Sequence, residues 1–364
     1  MYASITTPAS DTRAGTSFTN LETLELALSL VPSPALAPEI APPLCPCDHL
    51  IMFTTTLWRL TSHDPLHNLA FERYLFSSLG KKEAAVVIWR NSPAVMVGRA
   101  QNPWYEANTE FLHSHHIPLF RRISGGGTVY HDLGNLNFTF MASKPYFSRD
   151  LPIIIARDAL RSLGCDVYAD PRRSLFLRHN GSAYKITGSA IRETLTHGLL
   201  HGTVLVHADL AVLNEALRAH DPHVHVNGIP SVPSPVTNLP EVTIDAVQAT
   251  VHEHFAAHMK REGVVMYRTA HADDYAHQLR PHLDTQRSWE WNYGRTPHFS
   301  YRDGTVSAEI CHGIITDSSV ASIVGKRYSP RLMAGPLAPD KRASHKATST
   351  AGLDRAPPTR RPRY

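Results

Sequence analysis

The sequence predicts an α/β (α+β) fold built on a mixed, largely antiparallel sheet, followed by a small α/β accessory domain. Apolar runs of strand length alternate with amphipathic stretches of helical period. Several of those runs are joined by hairpin-length connections, too short for the crossover that a parallel pair needs. The chain has 364 residues, 42% of them hydrophobic and 19% charged, enough for about two globular domains. The expected organisation is an N-terminal extension over 1–51, a main domain over 52–262, the accessory domain over 263–328 and a basic tail over 329–364.

Residues 1–51 hold seven prolines, one arginine, no lysine and five acids. Too little apolar periodicity is present to bury a core, so disorder is expected. A mitochondrial transit peptide is Arg-rich and acid-poor, and this composition is the reverse. Order is expected from about Phe53. Asp64-Pro65 signals a helix start, Leu66, Ala70 and Tyr74 recur at helical spacing, and Gly80 ends the run. Ala84–Trp89 and Ala94–Val97 read as strands around the turn Asn91-Ser92-Pro93. A helix over Thr109–His116 leads to Leu119–Ile123, a glycine triplet and a strand over Leu136–Phe140. A helix over Leu151–Leu163 follows, closed by Gly164. Strand-like stretches flank Lys185 and cover Leu199–Val206. The prolines from Pro230 to Pro235 make an extended segment, and a helix over Ile244–Met259 precedes the accessory domain, which begins near Val264. After about Tyr328 the Pro-, Arg- and Thr-rich tail is expected to be disordered.

Charge and cysteine content exclude several functions. The last 36 residues hold eight Lys/Arg and two Asp/Glu, which puts a surplus of six in the tail and leaves the body at about −2. The body is therefore not a basic nucleic-acid platform. No apolar run is long enough to span a membrane. The four cysteines, Cys45, Cys47, Cys165 and Cys311, fit neither a disulfide framework nor a paired zinc site. The histidine clusters at 113–116, 223–225 and 252–258 match no His-Glu-x-x-His pattern, and no metal site is expected.

The most informative stretch runs from Arg121 to Asp132 and contains Ser124-Gly125-Gly126-Gly127-Thr128-Val129-Tyr130-His131. Adjacent glycines permit positive φ and close backbone approach, and successive N–H groups can form an anion-binding concavity. Arg122 adds a fork of donors suited to carboxylate or phosphate. The stretch is neither a Walker loop nor a Gly-x-Gly-x-x-Gly fingerprint. The bland alternative is a glycine-rich turn beside a surface histidine. A second segment, Lys185-Ile186-Thr187-Gly188-Ser189-Ala190, sets a lysine in an apolar run. It reads either as a cation for a substrate carboxylate and α-phosphate or as an edge-strand lysine. A third, His201-Gly202-Thr203, reads as a strand that would share a pocket with Lys185 if their strands pair.

Together these segments resemble the lipoate–protein ligase and lipoyltransferase family, whose glycine motif is matched from Arg121 through Asn135. The likeness extends to Asn68-Leu69-Ala70-Phe71-Glu72, Val236-Thr237-Asn238-Leu239 and Trp289-Glu290-Trp291-Asn292-Tyr293-Gly294. The resemblance implies a catalytic domain of the biotin/lipoate-ligase type, related in fold to class II synthetases. It implies activation of lipoate by ATP with Mg2+, then transfer to a lysine of a carrier. The carriers implied are lipoyl domains of 2-oxoacid dehydrogenase E2 subunits and the glycine-cleavage H protein. The setting is mitochondrial in a eukaryote and cytoplasmic otherwise.

Position by position, the resemblance gives the adenylate to Arg122, Gly125, Gly126, Gly127, Thr128, Val129, Tyr130 and Lys185. It gives lipoate to Arg122, Ser124, His131, Lys185 and His201, and catalysis to Lys185. The family has an acidic pair about a dozen residues before the lysine, where Arg173-Ser174 stand here. That departure bears on magnesium handling and on adenylation. It keeps open a transferase that uses a pre-activated or carrier-bound acyl donor. A non-catalytic binding protein and a Cys165-dependent acyltransferase are the remaining alternatives.

Overall fold

The computed structural model of the protein describes residues 53–335, except Ala219, His220, Asn227, Ile229 and Ala272. The extension over 1–51 and the tail beyond Gly335 lie outside the described residues.

β1 (Thr54–Leu60) leads into α1 (Pro65–Ser78). Asp64 caps this helix by accepting the Leu66 N–H at 2.9 Å, and Pro65 sits in the first turn, where no donor is needed. β2 (Glu83–Trp89) and β3 (Ala94–Val97) are almost wholly buried apolar runs. The chain continues through α2 (Pro103–Glu106), α3 (Thr109–Ser114), β4 (Leu119–Arg121), β5 (Val129–His131) and β6 (Asn135–Ser143). Every residue of β6 is buried, as befits a central strand covered on both faces. In α4 (Leu151–Ser162) the stripe Ile153, Ala156, Ala159 and Leu160 faces inward at helical spacing. Short strands follow: β7 (Val167–Ala169), β8 (Leu175–His179), β9 (Ser182–Lys185), β10 (Ser189–Glu193) and β11 (His197–Leu205). Next come α5 (Leu210–Leu217), β12 (Val224–Val226) and α6 (Ile244–Glu262), then β13 (Val264–Ala270), α7 (Ala276–Arg287) and α8 (Trp289–Asn292). The described chain ends with β14 (Phe299–Arg302), β15 (Ser307–Cys311), β16 (Ile314–Ser318) and α9 (Pro330–Met333).

The largest sheet has the order β10-β11-β6-β2-β1-β13. β1 runs parallel to both neighbours, and the other pairs are antiparallel. On one face, Val86, Ile88, Phe138, Phe140 and Leu200 pack against Ile153 and Ala156 of α4 and Val251 and Phe255 of α6. On the other, Trp58, Val87 and Trp89 meet Phe71 of α1, Leu279 of α7 and Trp291 of α8. Two three-stranded sheets, β4-β3-β5 and β7-β8-β9, carry the segments on which the sequence reading centres. A four-stranded antiparallel sheet, β12-β14-β15-β16, carries much of the C-terminal part.

Two elements sit elsewhere than the sequence suggests. β13, read as the start of the accessory domain, pairs along the whole of β1, from Thr54 with Val264 to Leu60 with Ala270. It covers an edge of the large sheet that would otherwise expose unpaired backbone groups. The small sheet in turn takes β12 from the preceding segment, Val226 lying opposite Phe299. The tail expected to be disordered from 329 still forms α9, because Ser329 caps it and Met333 is buried beside Tyr328.

Candidate active site

The glycine loop joins β4 to β5 and is folded around Arg122, which is only 4% exposed. Its Nε donates to Ser124 Oγ at 3.0 Å, and Nη1 donates to the Met96 carbonyl at 2.9 Å. Nη2 donates to the carbonyls of Gly125 and Gly127 at 2.6 and 2.7 Å. Burial pulls this guanidinium down to about 10, against the opposing charge of Glu72. The fork expected to grip a ligand is thus largely spent on shaping the loop. Gly126 has φ +83°, and a Cβ there would meet that of Ala190 at 3.1 Å. The Gly125 N–H is taken by the Ile191 carbonyl and the Thr128 N–H by Ser231 Oγ. Among the described residues, the N–H groups of Gly126 and Gly127 make no hydrogen bond and remain available to an anion. Arg121 next door is purely structural, its fully buried guanidinium donating to the carbonyls of Gly98, Arg99, Gln101, Trp291 and Asn292.

His201 on β11 lies opposite Thr139 on β6. Its Nε2 is 2.6 Å from Ser124 Oγ and its Nδ1 2.9 Å from Glu72 Oε1 on α1. Thr139 Oγ1 donates to the same carboxylate oxygen at 2.7 Å. Burial acts to raise the Glu72 pKa, but the charge and hydrogen bond of His201, with Thr139 and Arg122, hold it below the usual value. With Glu72 ionised, the ring nitrogen that faces it donates. The order Ser–His–Glu is that of a nucleophile, base and acid. Ser124, however, is fully buried and absent from the cavity walls, so here the set clamps the imidazole.

A cavity of ≈ 640 Å³ brings together Lys185, Arg122, Gly125, Gly126, Gly127, Thr128, Val129, His131 and His201. Its apolar wall includes Leu69, Trp89 and Met96. A second cavity of ≈ 460 Å³ shares Thr128, Val129 and Lys185 and adds Tyr130. His131 is 5% exposed, and its Nδ1 lies 3.2 Å from Asn91 Nδ2. Burial, then the charges of Arg122 and His201, push its pKa down to about 3, so the ring is neutral.

Lys185 and His201 are not on paired strands: β9 pairs with β8, whereas β11 pairs with β10 and β6. They meet because the segment after Lys185 crosses to β11, the carbonyls of Ile186 and Gly188 accepting the N–H groups of Leu205 and Thr203. The Lys185 backbone is held by Pro235, and its ammonium makes no ion pair or hydrogen bond among the described residues. Burial lowers its pKa; Asp170 opposes that shift and Arg172 adds to it.

Position 174 carries no acid, but Asp170 stands beside it. Ser174 is buried, and its N–H is bonded at 2.7 Å by Asp170 Oδ1, the one carboxylate acting on Lys185. Among the described residues no group of three or more His, Cys, Asp or Glu is placed to hold a metal. Arg172 and Ser174 line the large cavity instead. Magnesium needs only one or two carboxylates beside a substrate phosphate, and Asp170 is a carboxylate that would supply one here. Cys165 is buried in the core behind α4 and on neither cavity wall, which leaves the cysteine alternative without a site.

Glu72 and the apolar wall were not singled out from the sequence. The only sign of Glu72 was its place in Asn68-Leu69-Ala70-Phe71-Glu72, because its partner His201 lies 129 residues away.

Residues 64–259 match the sequence model of the family described as the lipoyl protein ligase A/B catalytic domain. The structure is similar to Plasmodium falciparum LipL1 in complex with lipoate, at 19% identity and TM-score 0.55, over 72% of this chain and 83% of that one. It is also similar to the bipartite lipoate protein ligase of Thermoplasma acidophilum, solved as part of a lipoylation system with its E2 lipoyl domain. That match has 23% identity and TM-score 0.53, over 66% of this chain and 96% of that one. A lipoate-protein ligase A bound with ATP matches at 23% identity and TM-score 0.54, over 66% and 98% of the two chains. At these identities the likeness establishes a shared fold.

Proposed function

Because the chain belongs to the lipoyl protein ligase A/B catalytic-domain family, we propose that it is a lipoate–protein ligase that works through a lipoyl-adenylate. A carboxylate oxygen of lipoate attacks the α-phosphorus of ATP, and pyrophosphate leaves. The uncharged ε-amine of a carrier lysine then attacks the acyl carbonyl; AMP leaves, and the amine proton passes to solvent.

One observation carries this reading: the unpaired ammonium of Lys185 and the glycine loop line the same cavity. In it, the N–H groups of Gly126 and Gly127 and the Lys185 ammonium receive the phosphate, and Lys185 stabilises charge on the acyl oxygen. The wall of Leu69, Trp89 and Met96 takes the acyl chain. Neutralisation of phosphate charge falls to Lys185 and Arg172, and no step is routed through magnesium. Lipoate and ATP in the similar structures support these ligand assignments, and the E2 lipoyl domain supports the choice of acceptor. The glycine-cleavage H protein is a second proposed acceptor, and in a eukaryote such acceptors would place the reaction in mitochondria.

The test is incubation with lipoate, ATP and an E2 lipoyl domain. Pyrophosphate release matched by lipoylation supports the ligase. Ser174 and Arg172 favour a second reading, transfer from a pre-activated acyl donor. Lipoylation from lipoyl-adenylate, with no pyrophosphate released from lipoate and ATP, would select it.

A further inference from the structure

Four arginines from four separate segments gather beside the large cavity: Arg73 on α1, Arg99 after β3, Arg192 on β10 and Arg295 after α8. The guanidinium carbons of Arg73 and Arg295 lie 4.5 and 4.9 Å from the centroid of the same Trp291 ring. Arg192 lies over Phe76, 5.6 Å from its centroid, and donates from Nη1 to the Ile123 carbonyl at 3.0 Å. Three of the four adjoin the cavity wall in sequence. Arg99 precedes Ala100, Arg192 is two residues beyond Ala190 on the same side of β10, and Arg295 is two before Pro297.

The cluster has no counter-charge. None of the four makes an ion pair among the described residues, and nearby carboxylates are committed elsewhere. Glu72 serves His201, Glu193 pairs with Lys144 and Arg149, and Glu290 pairs with Arg327. Two donors within the cluster, Arg73 Nη1 and Arg192 Nε, are buried without a partner. Burial and then the neighbouring arginines hold the pKa of both Arg73 and Arg192 below the ordinary guanidinium value. Gathered like charges cost stability, and that cost falls when carboxylates arrive.

A carrier that delivers its lysine into the cavity must cover surface beside it, and Arg99, Arg192 and Arg295 each stand within two residues of a lining residue. The cluster's spread over four segments suits several carboxylates on a protein face better than one small anion.

We propose that Arg73, Arg99, Arg192 and Arg295 form the docking surface for an acidic face of the carrier domain. This inference rests on the carrier-modifying reading. It assigns the cluster to recognition of the acceptor rather than to the chemistry.

The test uses the full chain and an unmodified E2 lipoyl domain, with the exposed pair changed together, Arg99→Glu and Arg295→Glu. The expected result is at least a tenfold rise in the KM and Kd for the lipoyl domain at low salt. The wild-type KM rises with added NaCl, and the variant's changes little. Release of pyrophosphate with hydroxylamine in place of the carrier is unchanged. Arg99→Gln with Arg295→Gln gives an intermediate KM. An unchanged KM and an unchanged salt slope in the Glu variant overturn the docking surface. Charge-dependent binding of the lipoyl domain without any lipoyl transfer would instead overturn the ligase reading and leave the docking surface standing.

Discussion

Ser124 Oγ and His201 Nε2 lie 2.6 Å apart, and the far nitrogen of the same ring is 2.9 Å from Glu72. The serine is fully buried and also accepts from Arg122, so its hydroxyl orients the imidazole and does not reach a substrate carbonyl. Ser124→Ala is expected to lower kcat/KM for lipoate about tenfold, the loss that one hydrogen bond implies. Mass spectrometry of wild-type enzyme trapped during turnover will show no acyl-enzyme. A serine-bound acyl group would contradict this.

Glu72 is 1% exposed, faces the charge of Arg122 and is hydrogen-bonded to His201 and Thr139. Its removal leaves Arg122 without a counter-charge and His201 and Thr139 without an acceptor. Glu72→Ala is expected to lose about 3–5 kcal/mol of unfolding free energy. Urea titration checks this, and Glu72→Gln, which keeps the volume and one acceptor, will lose less.

His131 gives a pH dependence of defined sign. Its folded pKa is pushed down to about 3 from 6.5, so between these values the unfolded chain binds a proton that the folded chain refuses. Its contribution makes stability fall on acidification below 6.5, by about 1.4 kcal/mol per pH unit. Glu72 adds its own loss as pH drops below 4.5, the ordinary glutamate value, so the useful window is 4.5 to 6.5. Within it, His131→Asn is expected to flatten the stability slope relative to wild type, as measured by denaturant midpoints. Parallel slopes would contradict the neutral buried ring.

Gly98 supports the loop from below. A Cβ at this position would lie 2.1 Å from the Gly126 carbonyl oxygen, a contact that forces the loop to move. Gly98→Ala is expected to raise the KM for ATP at least tenfold while the far-ultraviolet circular dichroism stays unchanged.

Much of this architecture is legible locally. Helix α1 follows from Asp64-Pro65 and its apolar spacing, β2 and β3 from short apolar runs, and the loop from adjacent glycines. What the sequence hides is long-range pairing. The return of β13 to β1 and the link from Glu72 to His201 leave no periodic signal, because each joins segments more than a hundred residues apart. Arg122 shows a different limit. Its place beside the glycines reads as ligand binding, yet three carbonyls and a hydroxyl already claim its donors. Residue type gives the chemistry available at a position, and only the fold tells which partner takes it.

The most direct measurement supplies preformed lipoyl-adenylate and an E2 lipoyl domain to wild-type and Lys185→Ala proteins of equal thermal stability, then weighs the domain. The account predicts one lipoyl group added by the wild type, and a transfer rate about 10²- to 10³-fold lower in the variant. Equal rates in the two proteins, or no mass gain with the wild type, would contradict it.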